Sequence, residues 1–168
     1  QLAEKIRWDI NATFSTNKIE NFTGYVDNWN YWDDPANQPY QYTKNLGTTN
    51  ISFSPDVVSG SKLSYKPFGK LSLAWVSKYV GRQYIDNTSN LSRSLNPYWV
   101  NNVMIEIHFT SKLFKKIGLR MSLNNLFGES YETNAWVYRY VYNNTESVMD
   151  GYFPQAKFNF MLGMSLKF

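Results

Sequence analysis

Few side chains in this sequence are arranged for chemistry. His108 is the only histidine among 168 residues, and cysteine is absent. A metal site would need thiolates or a second imidazole, so His108 reads as a polar side chain two residues from Glu106. Asp33 and Asp34 are adjacent in a loop, with no nucleophile or activated base placed around them. No catalytic site, metal or cofactor is expected. The net charge of +4 is mild. Its densest cluster, Lys112, Lys115 and Lys116, belongs to a turn, and no nucleic-acid motif accompanies it. Sequons such as those opening at Asn21 and Asn87 are expected by chance in a chain this rich in Asn, Ser and Thr.

What remains is aromatic. Tyr 13, Phe 11 and Trp 6 together form 18% of the chain, an excess that favours strands and membrane interfaces. Two stretches place these rings in loops, where ligand contact resides. Trp29, Tyr31, Trp32, Tyr40 and Tyr42 lie in the first. In the second, Trp136, Tyr138, Tyr140 and Tyr142 alternate with Val137, Arg139 and Val141, which suggests a hairpin. Trp29, Tyr31, Trp32, Trp136, Tyr138, Arg139 and Tyr140 are the candidate ligand contacts. Their rings could stack on a siderophore, a haem or a sugar. Packing the loops against one another is the plainer alternative.

The elements that must position these loops are strands. Strict two-residue alternation runs through Ile6, Trp8, Ile10, Ala12 and Phe14. It recurs through Leu71, Leu73 and Trp75, through Val103 to Phe109, through Ile117 to Leu123, and through Phe158 to Phe168. The stretch from Ile51 to Tyr65 is weaker, broken at "SPDVVSGS", where a bulge is expected. About six strands and no convincing helix result. The intervening polar positions, Arg7, Asp9, Glu106, His108, Arg120 and Lys157, would form the opposite face. In a sandwich the apolar set is a core; in a membrane barrel it touches lipid.

The connections favour the barrel. "KPFGK" and "LFKK" are tight turns, whereas Asn17 to about Asn45, Asp86 to about Pro97 and Asn134 to about Pro154 are long. Short turns at one end and long loops at the other are how an outer-membrane barrel is strung, with the turns periplasmic. Tyr79, Tyr84, Tyr98 and Trp99 would form the aromatic girdle at the outer interface. Mean hydropathy is −0.47, and no apolar run approaches the roughly 18 residues of a spanning helix. The first residues, "QLAEKIRWD", lack the apolar centre of a signal peptide. Six strands cannot close a barrel in lipid, where at least about eight are needed. Either the chain supplies part of a larger closed sheet, or the first long loop hides a further hairpin. The former is preferred.

"LNNLFGESYETNAWVYRY" followed by "GYFPQAKFNFMLGMSLKF" resembles the C-terminal end of TonB-dependent outer-membrane receptors. The matching elements are Asn125, Leu126, Phe127 and Tyr131, then Pro154 to Asn159 and a final aromatic residue. "ISFSPDV" and "KYVGRQYIDNTSN" are similar to the Bacteroidetes-type branch. The resemblance implies an all-β fold: about six C-terminal strands of an antiparallel transmembrane β-barrel of about 22 strands. Residues 1–168 would be one unit, with the plug domain and remaining strands outside this sequence. It further implies the outer membrane of a Gram-negative bacterium, active uptake of a scarce nutrient such as a siderophore, haem, vitamin or glycan, and a link to TonB through N-terminal parts not present here. Outer-membrane lipid and the barrel assembly machinery are the other implied partners. Leu162, Met164, Leu166 and Phe168 on the last strand are similar to the signal that machinery reads, an edge offered for β-augmentation. Phe168 could equally be one more lipid-facing side chain. Two other readings stand beside the receptor: a structural or assembly segment of an envelope complex, and a soluble β-sandwich binding carbohydrate through its aromatic loops.

Overall fold

The computed structural model describes residues 4–168; residues 1–3 of the expected 1–168 unit lie outside it. Strands follow in the order β1 (Ile6–Phe14), β2 (Lys18–Ile19), β3 (Thr23–Asn28), then one helical turn α1 (Asn30–Asp33), β4 (Gln41–Asn45), β5 (Thr49–Asn50), β6 (Val57–Phe68) and β7 (Leu71–Val80). They continue as β8 (Gln83–Tyr84), β9 (Ser94–Leu95), β10 (Tyr98–Phe109), β11 (Lys116–Asn124), β12 (Glu132–Tyr142), β13 (Thr145–Pro154) and β14 (Asn159–Lys167).

The six long strands expected from alternation form one antiparallel sheet in the order β1-β6-β7-β10-β11-β14. Each is 9 to 12 residues long, close to the roughly 9–11 needed to cross a bilayer at a tilt. Sequence neighbours pair, so every connection on one edge is short (residues 69–70 and 110–115). On the other edge every connection is long (residues 15–56, 81–97 and 125–158). That sorting follows from an up-and-down meander, which has no crossovers to mix the two ends.

Register carries the alternation across the whole sheet. Trp8, Leu63, Trp75, Val103, Leu123 and Phe160 stand in one cross-strand row. Ile6, Tyr65, Leu73, Ile105, Met121 and Leu162 form a parallel row on the same face. Nothing among the described residues covers that face. Trp8 is 52% exposed, Trp75 38%, Phe109 38% and Phe160 59%, so a sandwich core is not what this face provides. The opposite face is concave and charged. Arg7 binds Asp9 at 2.8 Å, and Glu106 accepts from Arg120 at 3.1 Å. His108 sits beside Glu106, with Nε2 3.4 Å from its carboxylate. Arg7, Asp9, Lys62, Ser64, Glu106 and Arg120 share one concavity. Its buried apolar cluster lies at the long-loop end, where Val80, Tyr98 and Val100 pack with Val58 and Tyr131.

Several expectations are corrected in detail. The ladder to β1 runs unbroken from Val57 to Tyr65, and the irregularity lies later, between Tyr65 and Phe68. Ile51 and Phe53 precede the strand, because Phe53 takes a left-handed turn conformation (φ 52°). Lys157 and Phe158 also fall outside β14. Of the expected girdle, Tyr79 and Trp99 do pair across strands on the apolar face. Tyr98 turns inward onto Tyr131, with ring centroids 4.4 Å apart, and Tyr84 belongs to the short β8. The first loop does hold a hairpin, β3–β4, but it joins a separate loop sheet rather than the large one.

The turn after β11 explains the Asn-Leu-Phe element. Asn125 is buried at 3% exposure with φ 48°, a conformation Asn tolerates because its short amide can bond locally. Its Nδ2 donates to the carbonyls of Glu129 (2.8 Å) and Ala156 (3.1 Å), and its Oδ1 accepts from the Glu129 amide (2.9 Å). One side chain thereby ties the start of the third loop to the segment that leads into β14.

Candidate functional site

The long connections build a second, four-stranded sheet, β13-β12-β3-β4. Its halves come from opposite ends of the sequence. β12 meets β3 in parallel through only two positions, Tyr140↔Asp27 and Val141↔Asn28. Below that junction the two strands part and leave a cleft lined by Gly24, Asp27, Ser52, Asn87, Tyr138 and Arg139. The loop after β7 forms part of the wall. It is held by a buried ion pair, Arg93 to Asp86 at 2.6 Å with side chains only 9% and 17% exposed. Thr88 accepts from Arg93 and donates to Asp86 in the same knot. Asn87 and Ser89 then accept the backbone amides of Ser52 and Asn50, which locks the second loop to the first.

Strand parity sorts the candidate residues onto two faces. Ala135 and Val137 point down onto Ile85 and Leu95, a small buried cluster. Arg139 follows the same parity and is neutralised by Glu146 at 2.6 Å. Trp136, Tyr138 and Tyr140 occupy the other face, which is open. There Trp29 stacks on Tyr140 with centroids 3.9 Å apart at 17°, and Tyr140 stacks in turn with Tyr138 at 24°. Tyr138 receives a hydrogen bond from Trp29 Nε1 at 3.0 Å and donates one to Asp27 at 2.7 Å. Asp27 also accepts from Gln41 at 2.7 Å, and these two bonds, Gln41 first, hold its carboxyl below the ordinary carboxylate range. The same bond to Asp27 pushes the Tyr138 phenol up.

Trp29, Tyr138 and Tyr140 are thus brought together, with Trp136 next along the same face. Tyr31 and Trp32 are not part of that stack; they pack edge-on with Tyr40 in a cluster of their own. Asp27 and Gln41 carry little signal in the sequence. Their one signal is alternation within "TGYVDN", which puts Asp27 on the same face as Tyr25.

No protein-family model and no curated protein matches this sequence. Solved structures do match. The ferric yersiniabactin uptake receptor FyuA from Yersinia pestis superposes on 98% of the chain with TM-score 0.53 at 14% identity. The siderophore receptor PiuA from Acinetobacter baumannii covers 98% with TM-score 0.51 at 14% identity. The ferric citrate transporter FecA covers 74% with TM-score 0.51 at 18% identity. The fold is that of a TonB-dependent outer-membrane receptor barrel.

This chain spans about a fifth of those structures, between 19% and 21% of their lengths. The receptor-barrel fold accounts for the open sheet: an isolated arc of strands has two free edges, β1 and β14, that a complete barrel would pair. It also accounts for a concave charged face opposite an uncovered apolar one. The neighbours are receptors and transporters, not enzymes.

Proposed function

We propose that residues 1–168 are the C-terminal strands of a TonB-dependent receptor barrel in a Gram-negative outer membrane, and that the receptor takes up a scarce nutrient. The carrying observation is the uncovered apolar face. Contiguous rows of Trp, Leu, Ile and Phe at this exposure are far beyond scattered surface residues, and they match the lipid-facing band of a barrel. On this reading the charged concave face lines the wet interior, the long loops are extracellular, and TonB acts through N-terminal parts outside this sequence. Ligand contact belongs to the loop face of Trp29, Trp136, Tyr138 and Tyr140, with Tyr31 and Trp32 at its margins; Arg139, on the opposite face of β12 and tied to Glu146, lies outside it. The last strand, through Leu162, Met164 and Leu166 with Phe168 just beyond its end, serves as the edge read during barrel assembly, because its backbone ladder is free on one side.

Membrane fractionation with heat-modifiable gel mobility tests the reading. The expected result is detergent-dependent extraction from the outer membrane and a faster-migrating band before boiling. Recovery as a detergent-free soluble monomer would overturn it.

A further inference from the structure

The open aromatic face of the loop sheet has a chemistry that narrows the ligand, given the receptor reading above. Trp136, Tyr138 and Tyr140 alternate on one strand, about 7 Å per step and roughly 13 Å in all. Trp29 stacks on Tyr140 at 3.9 Å and Tyr138 lies within 24° of Tyr140, so these three rings are packed on one another and leave no empty centre between them. Gly151 pairs with Trp136 across β12 and β13, and a Cβ there would collide with the Trp136 indole. The missing side chain lets the indole lie down on the strand. It is still 46% exposed, and Tyr25 on the same face is 61% exposed.

Charge separates the possible ligands. The strand positions of this face supply no Lys or Arg: Tyr25 and Asp27 from β3, Gln41, Thr43 and Asn45 from β4, and Thr145, Ser147 and Met149 from β13 share it with the rings. The two arginines nearby are each matched by a carboxylate, Arg139 by Glu146 and Arg93 by Asp86. On this face Asp27 is bonded to neutral donors, Gln41 and Tyr138. An anionic ferric chelate would meet an unopposed carboxylate here and no cation to hold it. A compact cation would need an open cage of rings, and Trp29, Tyr138 and Tyr140 already fill the space between them. A neutral, extended, hydroxyl-rich molecule meets both features: apolar ring faces for the planes, and Asp27, Gln41 and Thr43 for the hydroxyls.

We propose that Trp136, Tyr138 and the Trp29–Tyr140 stack, edged by Asp27, form a binding platform for a neutral oligosaccharide several sugar units long.

The test uses the complete receptor extracted from the outer membrane. Titration calorimetry is run with maltohexaose, cellohexaose, xylohexaose and mannohexaose, and with ferric citrate and choline as anion and cation probes. At least one hexasaccharide binds with a Kd below about 1 mM. Trp136→Ala weakens it about tenfold or more, Trp136→Phe stays within about threefold, and Gly151→Ala weakens it although the indole remains. Tyr40→Ala, in the separate ring cluster, leaves it unchanged. A folded, heat-modifiable receptor that ignores all four hexasaccharides overturns the glycan platform while leaving the receptor reading intact. So does saccharide binding indifferent to Trp136→Ala, or Trp136-dependent binding of ferric citrate or choline alone. A soluble protein that binds a hexasaccharide through Trp136 sinks the receptor reading and keeps the platform.

Discussion

Replacing Asn125 by alanine should be among the costliest single changes outside the apolar face. Alanine deletes three side-chain hydrogen bonds, two to Glu129 and one to Ala156. At about 1 kcal/mol net each, that is about 3 kcal/mol. It also leaves a β-carbon residue without a compensating amide at φ 48°, which adds about 1 kcal/mol. The sum, about 4 kcal/mol, belongs to the small class of severe point mutations. Asn125→Gly removes the same bonds and accepts the backbone conformation, so it should cost about 1 kcal/mol less than alanine. Urea unfolding of the protein in detergent, followed by loss of the heat-modifiable band, yields both values by linear extrapolation. An alanine variant within about 1 kcal/mol of the parent, or a glycine variant no better than alanine, would refute the account of this turn.

Two further outcomes test the faces and the loop sheet. Leu119→Arg, on the apolar face between Ile107 and Met164, should cost about 2–4 kcal/mol in refolding into lipid vesicles, and Ser122→Arg on the concave face close to nothing; equal penalties would contradict the facial assignment. The Asp27–Tyr138 bond should make the Trp29 environment pH-dependent at both extremes. Asp27 is depressed, so its contribution is present above its unfolded pKa and fades as pH falls below about 4. Tyr138 is raised, so its contribution is present below its unfolded pKa and fades as pH climbs past about 10. The emission difference between the parent and Trp29→Phe should follow both limbs, and Asp27→Asn should abolish the acid one; a flat profile would count against the bond.

The six long strands were legible because apolar residues hold one parity along most of each, and period-two alternation survives any amount of loop sequence between strands. Val57 to Gly60 was not, since two adjacent valines and a glycine break the pattern and only the ladder to β1 makes them a strand. The hairpin at Trp136 to Tyr142 announced itself by the same alternation. Its junction with β3 could not be read, because a two-position parallel pairing between residues more than a hundred apart leaves no local trace. Asp27 was missed for that reason: it matters only once Tyr138 arrives. Arg139 looked like a ligand contact from its place among the rings, and parity alone turns it to the other side.

That narrow parallel junction makes the outer cap a late event. Asp27 and Tyr138 are 111 positions apart, so the entropy of closing so long a loop must be met before their bond can form. The meander needs no such reach, because each of its strands lies beside the next one made. Maturation therefore has a natural sequence, in which the wall is laid strand by strand and the roof closes only after both ends of the wall stand. Surface probes that recognise the closed roof would report a finished molecule, blind to every partly built one.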